Sequence, residues 1–270
     1  MNGGLPTREV EKPWGKDVLP PPFVAPVGKR IGEIWFEPPA ELPELLVKYI
    51  FTSEKLSVQV HPSDKQTQAA GLGCQGKEEC WLVIDAEPGA TLGIGFHDSL
   101  GPEAMRKAAL DGSIERLLEW HSVRPGDFFY IPAGTVHAIG PGVSLIEVQQ
   151  NSDITYRLFD YGRPRELHLE EAIAVARGES FDGALQQTLA PHGSQTLVDG
   201  PLFQLDQLDG FPGDEIGERY NGPLLVIPRD APVHIAGQEV SSGQCGFARS
   251  LAEVEFASSG VCLIAMACTP

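Results

Sequence analysis

Short apolar segments separated by glycine and proline turns dominate this chain and limit what it can fold into. Residues 128–131 and 143–148 are rich in β-branched and aromatic side chains, and Pro125-Gly126-Asp127 forms a typical turn before the first of them. Residues 45–51 are a continuous apolar run, and 56–60 alternate until Pro62 ends the pattern. Strands this short, joined by such turns, predict a mainly β protein built as an antiparallel sandwich or small barrel.

Size and charge narrow the classes of partner. The chain has 270 residues, 42% of them hydrophobic, which is enough for one large or two small domains. The formal net charge of −17 argues against a nucleic-acid or anionic membrane partner, because either requires a basic face. An anionic substrate would need a local positive field, and Lys77 and Arg157 are candidates to supply it.

The cysteines and the N-terminal sequence predict a reduced setting. The five cysteines are odd in number and include no C-x-x-C pair, so they indicate neither a disulfide framework nor a thiolate zinc site. The chain does not begin with a basic segment followed by an apolar run, and no apolar stretch has the length of a membrane span. We therefore expect a cytoplasmic protein.

The N-terminal thirty residues are predicted to form an extended arm. Pro13, the run Pro20-Pro21-Pro22 and Pro26 rule out regular structure over most of this length. Trp14 and Trp35 fit best as aromatic anchors that hold the arm against the body of the protein.

Two β-domains are expected after the arm. Residues 31–177 form the main one, with a loop at 64–76, a two-helix insertion at about 98–122 and a helix at 169–176. Residues 178–270 form a smaller one, loop-like as far as residue 200 and then rich in strands. His234 in this part has no neighbouring residue at ligand spacing, so we expect the smaller domain to bind no metal.

Four nitrogen or oxygen donors fall at strand ends of the main domain. Gln59 and His61 share a strand face because side chains alternate with a period of two. Glu79 begins the next strand, and His137 follows the turn at 132–135. Alternation puts Glu78 and Glu79 on opposite faces, so one of the two is expected to be a solvated carboxylate, and the residues alone do not say which. This set suits Zn²⁺ or another divalent first-row ion. A single histidine on an apolar strand is more often a core residue, and Gln59 and His61 also fit a surface edge strand, so the residues alone leave both interpretations open.

The motifs resemble a known family. QVHP at 59–62, KEECW at 77–81, PAGTVHA at 132–138 and NSDITYR at 151–157 occur in this order. They are similar to the motifs of the type I mannose-6-phosphate isomerases in their short form, which are zinc enzymes with the cupin fold, a double-stranded β-helix or jelly roll. GEIW at 32–35 and ELHLEEA at 166–172 extend the resemblance over most of residues 32–175.

The resemblance implies one zinc ion per chain, held by Gln59, His61, Glu79 and His137. It implies a small-molecule sugar phosphate as the substrate, Arg157 as a catalytic or substrate-positioning residue, and Lys77 beside the phosphate or the transferred proton. It also makes the second cupin domain degenerate. Whether the protein is a monomer or a homodimer stays open.

Aldose–ketose isomerisation requires a base that moves a proton between neighbouring carbons through an enediol, while a cation stabilises the developing negative charge. The candidates for the base are Lys77, Glu147 and Asp153, and the sequence does not choose among them. Lys77 would need a lowered pKa. Asp153 also fits as an ion-pair partner of Arg157 four residues later, and Glu147 also fits as an outward residue of its strand. Arg157 has the alternative of a surface ion pair.

Two functions of other kinds remain open. Some cupin metal sites serve iron-dependent dioxygenases, and a fold alone does not decide chemistry. A sugar-binding cupin without enzymatic activity would keep the fold and the metal but lack the groups for proton transfer.

Overall fold

The computed structural model describes residues 4–268, and strands make up most of its regular structure. The prediction of a mainly β protein is therefore confirmed. In chain order, the strands before residue 160 are β1 (Thr7–Lys16), β2 (Ile31–Phe36), β3 (Leu45–Phe51), β4 (Val58–Val60), β5 (Glu79–Ala86), β6 (Thr91–Phe96), β7 (Leu118–Ser122), β8 (Asp127–Ile131), β9 (His137–Ile139), β10 (Val143–Gln150) and β11 (Tyr156–Phe159).

The later strands are β12 (Gln186–Thr188), β13 (Gln195–Asp199), β14 (Phe203–Asp209), β15 (Leu224–Pro228), β16 (Val233–Ile235), β17 (Gln238–Val240), β18 (Gly246–Ala248), β19 (Val254–Glu255) and β20 (Val261–Ala267). The helices are α1 (Asp64–Ala69), α2 (Pro102–Asp111), α3 (Ile114–Leu117), α4 (Leu169–Val175) and α5 (Asp214–Arg219). Of these helices in the described part of the chain, the longest has ten residues, and none meets the length and hydropathy of a membrane-spanning segment.

The main sandwich consists of two antiparallel sheets. One has seven strands in the order β1-β2-β3-β10-β5-β8-β12, and the other has five in the order β11-β4-β9-β6-β7. Buried side chains from both sheets meet between them, among them Trp81, Phe129 and Leu145 from the first and Leu92 and Ile94 from the second. This packing leaves the ends of β4, β5 and β9 facing a common space.

The C-terminal strands form two further sheets. Five strands follow the order β13-β14-β20-β15-β18, and three follow β17-β16-β19. The five-stranded sheet shares one hydrophobic core with the seven-stranded sheet, since Phe203, Leu205 and Leu263 pack in the same cluster as Val47 and Ile146. The division between a main and a smaller domain near residue 177 stays a prediction. Strand β12 follows this boundary in sequence but pairs with β8 of the main sandwich.

Two predicted irregular segments contain regular structure. The arm is irregular as predicted at residues 17–30, but residues 7–16 form β1, which pairs with β2 at the edge of the seven-stranded sheet. Pro13 is tolerated there because an edge strand has unpaired N–H positions and the pairing shifts register between Glu11 and Lys16. The predicted loop at 178–200 likewise contains β12 and β13.

The loop prediction at 64–76 is wrong at its start. Residues 64–69 form α1, and Ser63 and Gln66 make a reciprocal capping box at its N-terminus. The S-x-x-Q spacing at 63–66 was the sequence signal for this helix. The predicted insertion contains α2 and α3, but its last residues, 118–122, form β7 rather than helix. The helix predicted at 169–176 is present as α4.

Candidate metal centre

The strand register brings the four predicted ligands to one end of the sandwich. Gln59 on β4 is the direct antiparallel partner of His137 on β9. His61 follows β4 immediately, and Glu79 is the first residue of β5. His61, Glu79 and His137 are all buried, and each offers a ligand atom within 4.8 Å of the others. The four donors predicted from the sequence therefore lie close together in the fold.

Two glycines make this convergence possible. Gly134 has φ +86° in the turn before His137, and a Cβ there would meet the Val175 carbonyl oxygen at 3.0 Å. A Cβ on Gly76 would lie 2.3 Å from the Pro62 carbonyl oxygen, so only glycine lets the segment before Lys77 pack on the segment after His61. The Lys77 amide then donates to the same carbonyl at 2.9 Å.

Both imidazoles are oriented with Nε2 directed into the cluster, where Lys77 Nζ lies 3.2 Å from His61 Nε2 and Gln59 Nε2 lies 3.3 Å from His137 Nε2. His61 Nδ1 lies 2.8 Å from the Ile154 carbonyl oxygen, and His137 Nδ1 lies 2.9 Å from that of Thr135. A carbonyl oxygen only accepts, so each Nδ1 carries the proton and each neutral ring presents the lone pair of Nε2. These Nε2 atoms lie 3.6 and 3.4 Å from the two oxygens of Glu79. This is the arrangement by which proteins orient imidazole ligands toward a metal.

The protein keeps both rings neutral and Glu79 ionised. Burial lowers the pKa of His61 well below 6.5, with a further contribution from Lys77, and burial likewise lowers the pKa of His137. Burial alone would raise the pKa of Glu79, but the charges of Lys77 and other neighbours outweigh it and lower that pKa. Neutral imidazole and ionised carboxylate are the forms that bind metals.

Glu79 and Gln59 complete the donor set in different ways. Lys77 Nζ lies 2.5 Å from Glu79 Oε2 as an ion pair, yet neither carboxylate oxygen accepts a well-oriented hydrogen bond from the described residues. A buried carboxylate in this condition is a fitting metal ligand. Gln59 Nε2 lies 3.3 Å from His137 Nε2, so its amide must turn over to present oxygen to an ion.

A cavity of about 370 Å³ opens beside the cluster. Gln59 and Lys77 of the cluster region lie on its wall. Counting Lys77, the wall has five cationic side chains and three carboxylates. The charged lining consists of Lys12, Lys48, Lys77, Arg157, Arg165, Glu33, Glu147 and Asp153. The excess of positive charge contrasts with a formal net charge of −17 for the whole chain, so the cavity suits an anionic ligand.

Comparisons with known proteins agree with this geometry. A mannose-6-phosphate isomerase of Bacillus subtilis (strain 168) is 45% identical over 137 residues, which cover 48% of this chain and 43% of that protein. One of Streptococcus mutans is 41% identical over 167 residues, covering 59% of this chain and 52% of that protein. This chain is a homologue of the mannose-6-phosphate isomerases. In these matches it spans about half the length of its curated relatives.

The solved structures support the fold over the whole chain. The crystal structure of a mannose 6-phosphate isomerase from Bacillus subtilis superimposes with a TM-score of 0.78 at 23% identity, covering 97% of this chain and 98% of that one. No family model matches the sequence. The cupin fold and the resemblance to mannose-6-phosphate isomerases that the motifs predicted are both confirmed.

The candidates for proton transfer separate in the structure of this isomerase homologue. Glu147, for which an outward position was left open, is buried and faces the cavity. Its Oε1 lies 3.0 Å from Lys48 Nζ and 3.9 Å from Lys77 Nζ, and its Oε2 accepts a hydrogen bond from Trp81 Nε1 at 3.1 Å. Asp153 also lines the cavity but is exposed.

Lys77 is held as a cation. Burial lowers its pKa, but Glu147 and Glu79 outweigh burial and raise it. The lowered pKa that a neutral lysine base requires is therefore not produced by the side chains around Lys77.

Arg157 faces the cavity rather than forming a surface ion pair. Burial and the charge of nearby Arg165 lower its pKa, and its Nη1 donates to the Glu166 carbonyl oxygen at 3.3 Å. Asp153 and Arg157 make no ion pair, and Arg157 has no carboxylate partner among residues 4–268.

Lys48 is the functional candidate that the sequence interpretation missed. It lies in the apolar run of β3, is 5% exposed, and donates to Gln149 Oε1 at 2.5 Å as well as to Glu147. The signal was a lysine in the middle of a strand that is otherwise apolar, because a buried ammonium requires partners.

The two tryptophans are more than anchors of the arm. Trp14 and Trp35 both line the cavity. Trp35 Nε1 donates to Glu33 at 2.9 Å, and Lys48 Nζ lies 4.4 Å from the centre of the Trp35 ring. β1 and β2 therefore supply one wall of the candidate site.

Proposed function

We propose that this chain is a zinc-dependent mannose-6-phosphate isomerase that interconverts mannose 6-phosphate and fructose 6-phosphate. The observation that carries the proposal is the His61–Glu79–His137 cluster beside a cationic cavity, in a homologue of enzymes that bear this name. Gln59 supplies a fourth donor.

The donor set fits zinc. It offers two imidazole Nε2 lone pairs, one carboxylate that lacks hydrogen bonds of good geometry, and one amide, with no thiolate. Nitrogen and oxygen donors in this number, with room left for a further ligand, are what catalytic zinc sites use. When bound, zinc supplies a Lewis acid beside the cavity that stabilises negative charge developing on a sugar oxygen.

Residues of the chain itself would carry the proton. Glu147 is the best-placed acceptor, because it is buried, faces the cavity, and receives hydrogen bonds from Lys48 and Trp81 that hold it in position. Lys77, kept protonated 3.9 Å away, is placed to donate a proton to the enediol oxygen. Asp153 is the weaker candidate because water has access to it.

The cavity also fits the phosphate of the substrate. Arg157 has no carboxylate partner among the described residues and offers a planar set of donors to an anion. Binding energy from the phosphate would orient the sugar carbons toward Glu147 and the metal centre.

A coupled assay tests the proposal. Zinc-loaded protein is supplied with mannose 6-phosphate or free mannose, and formation of the ketose is followed in both. We expect turnover of the phosphorylated sugar and far less of the free sugar. Metal binding without any turnover would favour a sugar-binding cupin, and bound iron with oxygen consumption would favour a dioxygenase. Either result would overturn the proposal.

A further inference from the structure

One segment contributes three hydrogen-bond donors to the cavity wall. Arg157 lies on β11, and Arg165 and His168 lie in the turn between β11 and α4. The Arg157 backbone N–H donates to His168 Nδ1 at 3.3 Å, so the ring proton of His168 is on Nε2, which is a donor. The His168 N–H donates in turn to the Arg157 carbonyl oxygen at 2.9 Å, which fixes the two residues side by side.

A buried carboxylate orients Arg165. Asp160 is 2% exposed, and it accepts from Arg165 Nε at 2.5 Å and from Arg165 Nη2 at 2.6 Å. This two-pronged pair fixes the plane of the guanidinium. Arg163 lies on the other side of Asp160, with its Nε 3.3 Å from Oδ1, and does not line the cavity.

The ion pair between Arg165 and Asp160 leaves three of the five guanidinium N–H donors of Arg165 free. A guanidinium has five N–H donors, and Asp160 occupies two of them. Arg165 Nη1 makes no hydrogen bond within residues 4–268, and the side chain is 29% exposed. The free edge belongs to a side chain of the cavity wall, so these donors are available to a ligand.

The remaining cations of the wall are less suited to a phosphate. Lys48 and Lys77 are each 5% exposed and already pair with Glu147 and Glu79, and Lys12 pairs with Glu33 at 3.6 Å. A phosphate is strongly hydrated, so it fits the more open wall formed by the β11–α4 segment. Asp153, which lies three residues before β11, is the one solvent-exposed carboxylate of the cavity lining, and this exposure weakens its repulsion of an anion.

We propose that Arg165, positioned by Asp160, binds the phosphate of the sugar phosphate together with Arg157 and His168, and so makes the site select phosphorylated over free sugars. The proposal deepens the function proposed above and rests on it. Arg165 acts on the substrate directly, whereas Asp160 is a positioning residue.

Kinetics of Arg165→Gln provide the first test. Loss of a charge-assisted hydrogen bond to a phosphate should raise KM for mannose 6-phosphate by about 10-fold to 100-fold, with kcat and bound zinc near the wild-type values. Arg165→Lys keeps the charge but loses the planar fork, so its KM should lie between the two, and it replaces the glutamine variant if that variant fails to fold.

Arg106→Gln is the matched control. Arg106 also pairs through two nitrogens with a carboxylate, that of Glu170, but it lies outside the cavity wall. Its removal takes the same charge from the protein, and KM should stay within about twofold of wild type. Asp160→Asn should raise KM less than Arg165→Gln does and leave kcat unchanged, because one oxygen remains to orient the guanidinium.

Phosphate binding separates this inference from the proposed function. Inorganic phosphate is titrated calorimetrically into wild type and Arg165→Gln, a measurement that requires no turnover. We expect binding to wild type that weakens by about tenfold or more in the variant. Equal phosphate affinity and equal KM in the two proteins would overturn the phosphate role of Arg165. Phosphate binding by Arg165 in a protein that does not isomerise mannose 6-phosphate would instead overturn the proposed function alone.

Discussion

The two β-rich parts of the molecule bury different kinds of residue. Within residues 4–189, ten lysine, aspartate, glutamate and histidine side chains are buried, among them His61, Lys77, Glu79, His137 and Glu147. Within residues 190–268, Asp206 is the one charged side chain that is buried. Both parts are antiparallel sheets that share one core, so the difference does not come from the type of fold.

The comparison shows where stability and function reside. Burying a charge costs free energy unless it is paired, and an apolar side chain of similar size usually serves stability better. The N-terminal part gathers most of these groups at or beside one cavity, whereas the C-terminal part uses its buried carboxylate in a network with Tyr220 and Arg219. Substitutions in the first part should therefore affect chemistry, and those in the second should affect stability.

The largest effect is expected from His137→Ala. It removes a proposed metal ligand from the cluster, so bound zinc should be lost and kcat/KM should fall by roughly 10³-fold or more. Metal analysis and the coupled assay on the same sample measure both. His234→Ala, an exposed histidine of the C-terminal part, is the matched control and should change neither quantity. Full activity in His137→Ala would contradict the assignment of the chemistry to the buried groups of the N-terminal part.

Arg157→Ala should separate turnover from metal binding. The guanidinium faces the cavity but offers no lone pair to a metal, so the zinc content should stay at the wild-type level. We expect kcat/KM to fall by roughly 10²-fold, because a positioned cation near the substrate is lost. Loss of zinc in this variant would show that Arg157 supports the metal centre instead.

Asp206→Ala tests the C-terminal part. Asp206 accepts a hydrogen bond from the Tyr220 hydroxyl at 2.7 Å and pairs with Arg219 at 3.2 Å. Its removal leaves these groups without their buried partner, so the free energy of unfolding should fall by about 2–4 kcal/mol. Urea unfolding measures the loss. The zinc content and the activity of the folded fraction should be unchanged, and a specific loss of activity would blur the contrast between the two parts.

The smallest effect concerns acid sensitivity of protein stripped of metal with a chelator. Burial lowers the pKa of His61 and His137 below 6.5, so as the pH falls below about 6.5 the unfolded chain takes up protons that the folded chain refuses. The free energy of unfolding should therefore decrease as the pH falls below about 6.5. The stability that the two neutral histidines contribute is fully present only above that pH.

Urea unfolding at pH 7.5 and pH 5.5 measures this dependence. His137→Gln should show a shallower loss of stability on acidification than wild type, since one of the two groups is gone. His234→Gln is the control and should keep the wild-type dependence. An identical decrease in wild type and His137→Gln would show that other groups control the acid response.

The sequence predicted the parts of the site that depend on local pattern. Gln59, His61, Glu79 and His137 lie at or near strand ends next to proline and glycine turns, and strand alternation put Gln59 and His61 on one face. The cupin fold followed from the motifs rather than from composition. Strand β20 was predicted at its observed bounds, because an apolar run bounded by Gly260 and the chain end is a strong local signal.

Most of the parts that failed depend on long-range pairing, whereas α1 was missed although its capping signal is local. β1 could not be predicted from its own proline-containing sequence, because its partner β2 lies some 20 residues further along the chain. Lys48 acquires its role only through the register that sets it opposite Glu147, 99 residues away. The direction of the Lys77 pKa likewise depends on two carboxylates from different strands.

Reconstitution with metal tests whether isomerisation of mannose 6-phosphate depends on zinc at the candidate metal centre. Protein stripped with a chelator receives increasing Zn²⁺, and fructose 6-phosphate formation from mannose 6-phosphate is measured at each step. We expect no turnover without metal, and activity that rises to a plateau at one zinc ion per chain in wild type but not in His137→Ala. Turnover that persists in fully stripped protein, or zinc-loaded protein without turnover, would contradict zinc-dependent isomerisation by this protein.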